Sequence, residues 1–218
     1  MLDWQIFQGL PERELRRLVA VARRRRFERR EIVFHQGDPA DTLHLVSRGH
    51  FAARIATRLG NTTTLSVHGP GEAFGELAIV EPDSARSTTV AALEAGETYA
   101  VHRTDFGRLR EQYPSVNDLL VRLLARRLRR AGDLLAEALF VPAETRVLRR
   151  LLEVAALYRD GAVPLRQEDL AGLAGTSRAT VNRVLRAEAE RGSVELRRGK
   201  TVVVDAGALA RRAGSPLL

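Results

Sequence analysis

Hydrophobic positions along the 218-residue chain change their period twice. After an amphipathic stretch at 11–21 that reads as a helix, short runs rich in apolar and β-branched side chains follow at 31–34, 43–46, 51–55, 62–67, 88–93 and 97–101. Gly37-Asp38-Pro39, Gly49, Gly60-Asn61, Gly69-Pro70-Gly71 and Gly96 punctuate them. Short strands at this spacing predict a barrel or jelly roll. From Pro114, a favourable first-turn residue, the pattern becomes helical and runs to about Leu139, with Gly132 the one breaker. Leu120, Leu124, Leu128, Ala131, Leu135 and Ala138 recur at steps of three and four, as in a coiled-coil seam. Leu119, Leu123 and Leu134 widen the stripe enough to serve both the parent domain and a second copy, which predicts a homodimer.

Pro142 stops that helix. A helix is expected at about 143–158, a second over 167–174, a turn at Gly175-Thr176 and a third from Ser177 to about Arg191. Alternation at 194–196 and 201–204 about a tight turn at 197–200 completes a winged helix-turn-helix. The chain therefore reads as α+β: a β jelly-roll sensor (1–113), a dimerisation helix (114–139) and a DNA-binding domain (140–218).

Charge sharpens the assignment. The formal net charge is +8, and residues 140–218 hold 14 basic against 9 acidic side chains, whereas 1–113 are nearly balanced at 16 against 15. A basic C-terminal third suits phosphate neutralisation. The run Arg23-Arg24-Arg25-Arg26 with Arg29-Arg30 reads as a solvated face. Without cysteine there are no disulfides, thiolate zinc sites or Cys-ligated clusters. The five histidines, His35, His44, His50, His68 and His102, read as structural, and no metal is expected. With no signal peptide and no membrane-length apolar run, a cytoplasmic protein without a membrane partner is expected.

The segment Gly71-Glu72-Ala73-Phe74-Gly75-Glu76-Leu77-Ala78, followed by Arg86-Ser87, carries the most chemistry. A Phe-Gly-Glu-Leu stretch opening one helical turn offers backbone N–H groups and a positive dipole end to an anion. Arg86 and Ser87 can close on the same point, guanidinium and hydroxyl both on phosphate oxygens. Glu76 suits a sugar hydroxyl, which donates to a carboxylate.

These residues resemble the phosphate-binding cassette of cyclic-nucleotide-binding domains. With the long helix and the wing in the same order, the chain resembles the cyclic-AMP receptor and fumarate-nitrate regulator family throughout. The resemblance implies that Gly75, Glu76, Leu77 and Ala78 meet a cyclic phosphate through backbone amides. It further implies that Glu76 takes the ribose 2′-hydroxyl, that Arg86 and Ser87 hold the phosphate, and that Arg127 pairs with Glu76. A Thr-Ser pair that reads adenine in the family's cyclic-AMP receptor aligns with Ala131 and Gly132, neither of which can hydrogen-bond. Cyclic AMP is the expected effector, read with weaker discrimination against cyclic GMP.

Residues 165–191 resemble the family's helix-turn-helix. Leu170, Ala171 and Leu173 read as the buried side of the first helix, and Val181, Val184 and Leu185 as that of the second. Ser177 reads as its cap. Arg178, Ala179, Asn182 and Arg183 are then outward, and two arginines there suit guanine. Ser177, Thr180 and Lys200 are candidate phosphate contacts. Ala179 stands where the family has a cytosine-reading glutamate, so selectivity at that base pair should relax. The resemblance implies a pseudo-palindromic double-stranded operator and RNA polymerase as partner. The alternatives are a ligand-independent regulator with a vestigial pocket and, more remotely, an enzyme's regulatory subunit. No metal-ligand histidine spacing, nucleophile elbow or Walker loop favours an enzyme.

Overall fold

A computed structural model describes residues 4, 7, 11–56, 62–81, 83–158 and 160–214, with the side chains of Glu14 and Leu119 outside the description. The expected Gly60-Asn61 turn and the part of Leu119 in the stripe therefore lie outside the described residues. The chain divides into two compact units, Met1–Ala56 with Val67–Leu128, and Thr57–Ser66 with Arg129–Leu218.

In the first unit, helix α1 (Glu12–Val21) precedes strands β1 (Arg23–Phe27), β2 (Ile32–Phe34), β3 (Thr42–Arg48) and β4 (Phe51–Ala56). Then come β5 (Thr62–His68), whose residues 62–66 are grouped with the second unit, β6 (Ala73–Phe74), the short α2 (Leu77–Val80), β7 (Thr89–Ala92), β8 (Gly96–His102) and α3 (Arg103–Gln112). Two antiparallel sheets form, in the orders β1-β8-β3-β6 and β2-β7-β4-β5. Strand periodicity explains how β3 serves two cores. Leu43 and Leu45 join Trp4, Leu18, Val101, Phe106 and Leu120 in one cluster. Val46, of the opposite parity, joins Phe27, Val33, Phe51, Phe74 and Val90 in the other.

The expected strands form with ends shifted by a residue or two. The arginine run was expected only as a solvated face. Arg23, Arg24 and Arg26 are exposed, yet the run is also the edge strand β1, paired along its length with β8. Arg24 and Arg26 reach Glu97 at 2.6 and 3.5 Å, while Arg25 lies 5.1 Å over the Phe27 ring. Four charges in succession hid the period of two.

Helix α4 spans Ser115–Phe140. Here the expected seam needs correction, because Leu120 is buried in the first unit's core. Val121 (64%), Leu128 (75%) and Leu135 (62%), seven residues apart, are exposed, as are Leu139 and Phe140 at the helix end. Leu124 is half-buried against the same core as Leu120.

In the second unit, α5 (Ala143–Ala155), β9 (Ala162–Val163), α6 (Gln167–Ala174), α7 (Arg178–Glu190), β10 (Val194–Arg197), β11 (Lys200–Val203) and α8 (Ala206–Ala213) follow. The strands form one sheet, β10-β11-β9, and α5 packs on α6, α7 and α8. Gly175 ends α6 in the left-handed conformation, φ 59° and ψ 46°, as a helix C-terminus favours. Ser177 Oγ then accepts the Thr180 N–H at 3.1 Å and caps α7. Buried Glu188 accepts from Arg212 Nε at 3.0 Å and from Arg191 at 2.8 Å, tying α7 to α8. Glu137, on the last turns of α4, accepts from Arg149 at 2.8 Å and from Arg150 at 2.7 Å. Removing both arginines would leave such a carboxylate buried without a counter-charge, at a cost of about 3–5 kcal/mol.

Candidate ligand pocket and nucleic-acid interface

The pocket begins where β6 ends. Gly75 has φ +80°, and a Cβ built there would lie 2.8 Å from Arg86 Nη1 and 3.1 Å from the Thr42 carbonyl oxygen. Only glycine leaves room for that approach. Arg86 is brought there by its backbone: its N–H donates to Asp38 O at 2.8 Å and its carbonyl accepts from Gly37 N–H at 2.9 Å. The Gly37-Asp38 turn thus pins the loop that carries Arg86.

The Arg86 side chain is buried, at 6% exposure. Nη1 donates to Thr42 O and Nη2 to Thr42 Oγ1, both at 2.7 Å. Asp41 lies 3.6 Å away, and the guanidinium stacks 4.1 Å over the Phe34 ring. Nε is buried with no hydrogen-bond partner. Burial lowers the arginine's pKa from its ordinary value, and Asp41 and Asp38 oppose the shift. A desolvated cation with an unused donor suits an anionic oxygen.

Glu76 is the residue before α2. Its Oε1 lies 3.4 Å from Arg127 Nε, while Arg127 Nη2 donates to Ala73 O at 2.8 Å. The α4 arginine and the cassette are therefore neighbours. Ala78 is buried, and its N–H already bonds Gly75 O at 3.2 Å, so that amide is committed to the turn. Leu77 and Ser87 are exposed.

Sequence reasoning missed the surroundings of Arg86: Phe34, Asp41 and Thr42 lie more than forty positions upstream and carry no motif. It also left His44 without neighbours. His44 stacks on Phe74 at 5.1 Å and 4°, and its Nδ1 lies 3.0 Å from Thr98 Oγ1. Burial, then Arg86 and Arg25, lower its pKa to about 3, so it is neutral.

On α7, Arg178, Ala179 and Arg183 are exposed while Val181, Val184 and Leu185 are buried. Arg178 Nε lies 3.1 Å from Glu168, and Arg183 Nη1 lies 2.5 Å from Glu144. Asn182 differs from expectation. It is half-buried, and its Nδ2 donates to Gln167 Oε1 at 3.1 Å, because the α6 side chain reaches across to it. Half-buried Thr180 lies 3.0 Å from Ser177 through their hydroxyls. Lys200 opens β11 and is half-buried. Arg186, one turn beyond Arg183, is also exposed; the three-residue step from Arg183 was the available signal.

Family models match in two places: a cyclic nucleotide-binding domain at residues 24–113 and a Crp-like helix-turn-helix domain at 145–212. The cyclic AMP receptor protein of Thermus thermophilus is 39% identical over 207 residues, covering 94% of each chain. The chain belongs to the cyclic AMP receptor protein family. A CRP-like cAMP-activated global transcriptional regulator of Mycobacterium tuberculosis is 32% identical, over 95% of this chain and 96% of that one. Among solved structures, the T. thermophilus catabolite activator protein matches with 36% identity and a TM-score of 0.57, over 96% of this chain and 98% of that one. The c-di-GMP-responsive regulator CLP of Xanthomonas campestris, at 22% identity and a TM-score of 0.74 over 88% and 99% of the two chains, shows the fold alone.

As a member of this family the chain is a transcription regulator with a cyclic-nucleotide-binding domain and a helix-turn-helix, and not an enzyme. Among the described residues, no cluster of three or more His, Asp or Glu is placed to hold a metal. No described helix is long and apolar enough to cross a membrane.

Proposed function

We propose that the protein is a cytoplasmic homodimeric regulator whose operator binding is controlled by a cyclic nucleotide, cyclic AMP foremost. The sensor is 1–113, the dimerisation helix 114–139 and the DNA-binding domain 140–218. One observation carries the reading: the buried Arg86 guanidinium lies against Gly75 where no Cβ intervenes, with Nε unpartnered. A cyclic phosphate there takes Arg86 and Ser87, with backbone amides of 75–77 beside it, and Glu76, oriented by Arg127, takes the ribose hydroxyl. The relatives named for cyclic AMP support that nucleotide.

Arg178 and Arg183 then read guanines in a pseudo-palindromic operator, Ser177, Thr180 and Lys200 contact phosphates, Ala179 offers only a methyl group, and Asn182 lies alongside. RNA polymerase is the downstream partner. Ligand acts by its differential affinity for two arrangements of the dimer. A second reading, a ligand-independent regulator, draws on Thr42, which already engages both Nη groups of Arg86.

Calorimetry with cyclic AMP on wild type and Arg86→Ala tests the pocket. Loss of a charge-assisted, desolvated contact should cost about 2–5 kcal/mol of binding. Equal affinity in the two proteins would overturn the assignment.

A further inference from the structure

Three polar side chains of α7, Arg178, Asn182 and Arg183, are each met by a residue from the first turn of another helix. Arg183 meets Glu144, the second residue of α5, and Arg178 meets Glu168, the second residue of α6. Between them Asn182 donates to Gln167, the first residue of α6. A carboxylate in a helix's first turn interacts favourably with the helix dipole, which suits both glutamates to these positions. All four charged side chains are well exposed, at 69% and 55% for one pair and 65% and 58% for the other. Both pairs are therefore accessible to DNA and weak enough to exchange.

We propose that Glu144 and Glu168 are specificity-determining residues of the DNA-reading surface, holding Arg183 and Arg178 away from phosphates until a guanine replaces them. The inference rests on the proposed role of those arginines. Duplex of the wrong sequence offers phosphate oxygens but lacks guanines at the positions the two arginines reach together. To use the arginines it must displace a carboxylate and leave it beside the backbone, like charge against like. Guanine O6 and N7 offer bidentate acceptors in the groove, which offset the lost ion pair. On non-specific DNA the two arginines keep intramolecular counter-charges, so they contribute little to counterion release. Both carboxylates thus lower non-specific affinity more than operator affinity.

The test compares wild type, Glu144→Gln, Glu168→Gln and the double variant on random-sequence duplex and on an operator selected from random DNA, with and without cyclic AMP. Glu111→Gln, on α3, makes the same change of net charge without touching α7. Each test variant should bind random duplex about two- to fivefold more tightly, the exchange of an exposed pair. The slope of log affinity against log salt should steepen by about one per freed arginine. Operator affinity should rise less, so the specificity ratio falls. Random-duplex affinity and slope matching those of Glu111→Gln would overturn the proposal, as would an equal gain on both DNAs. Arg178→Ala and Arg183→Ala separate the two levels. Retention of full operator preference by these variants refutes the arginine reading itself. Its loss, with unchanged glutamine variants, refutes only the role of the glutamates.

Discussion

Leu128→Asp should convert the protein from dimer to monomer. On α4, Val121, Leu128 and Leu135 are 64%, 75% and 62% exposed in one chain and spaced by seven, which brings them to one face of a left-handed coiled coil. Full burial of such a side chain is worth about 1.5–3 kcal/mol, so the exposed fractions leave about 1–2 kcal/mol each. Six side chains in a two-fold dimer then supply about 6–12 kcal/mol against an association cost of about 4–15 kcal/mol. The aspartate removes two leucines, about 2–4 kcal/mol, and sets two carboxylates against each other in a drying seam. Dimer affinity should fall by about a thousandfold or more, some 4 kcal/mol. Leu124 is unsuitable for the experiment because it also packs in the first unit's core. Sedimentation velocity over a range of micromolar concentrations reads the result. Wild type that sediments as a monomer at tens of micromolar, or a variant that stays dimeric, would refute the seam.

His44 provides a pH prediction. It is neutral in the folded protein, with its pKa lowered from 6.5 to about 3, so between those values the unfolded chain binds the extra proton. Stability should therefore fall as pH drops through that window, by up to about 1.4 kcal/mol per unit from this group. Denaturant unfolding at several pH values should show a shallower fall in His44→Gln, and parallel curves would refute the assignment. For Ala179, selection from random DNA should show relaxed preference at one base pair. Ala179→Glu should restore a demand there worth about 1–3 kcal/mol, and a wild type already as selective would contradict the helix register.

The helix-turn-helix was legible because its punctuation is chemical: Gly175 adopts the left-handed conformation and Ser177 caps the next helix, so α6 falls on 167–174 as expected. The strand β1 was not legible, because Arg23–Arg26 carries no apolar alternation and is recognised only by its pairing with β8. In α4, leucines at 119, 120, 123 and 124 make more than one face apolar. Spacing alone thus assigned Leu120 to the seam, and only packing with Phe106 and Leu43 reveals its burial in the core. The cassette residues Gly75, Glu76 and Arg86 carry a motif. Their neighbours do not: Thr42 meets Arg86 across 44 positions, and Glu144 meets Arg183 across 39. Such contacts follow from tertiary packing, which no local pattern encodes.

Control of DNA binding by a cyclic nucleotide is tested most directly by fluorescence anisotropy of a selected operator during a cyclic AMP titration. The account predicts a saturable rise in operator affinity, within the roughly 5–150-fold range of typical allosteric coupling, that disappears in Arg86→Ala. Tight operator binding that does not respond to cyclic AMP would contradict it.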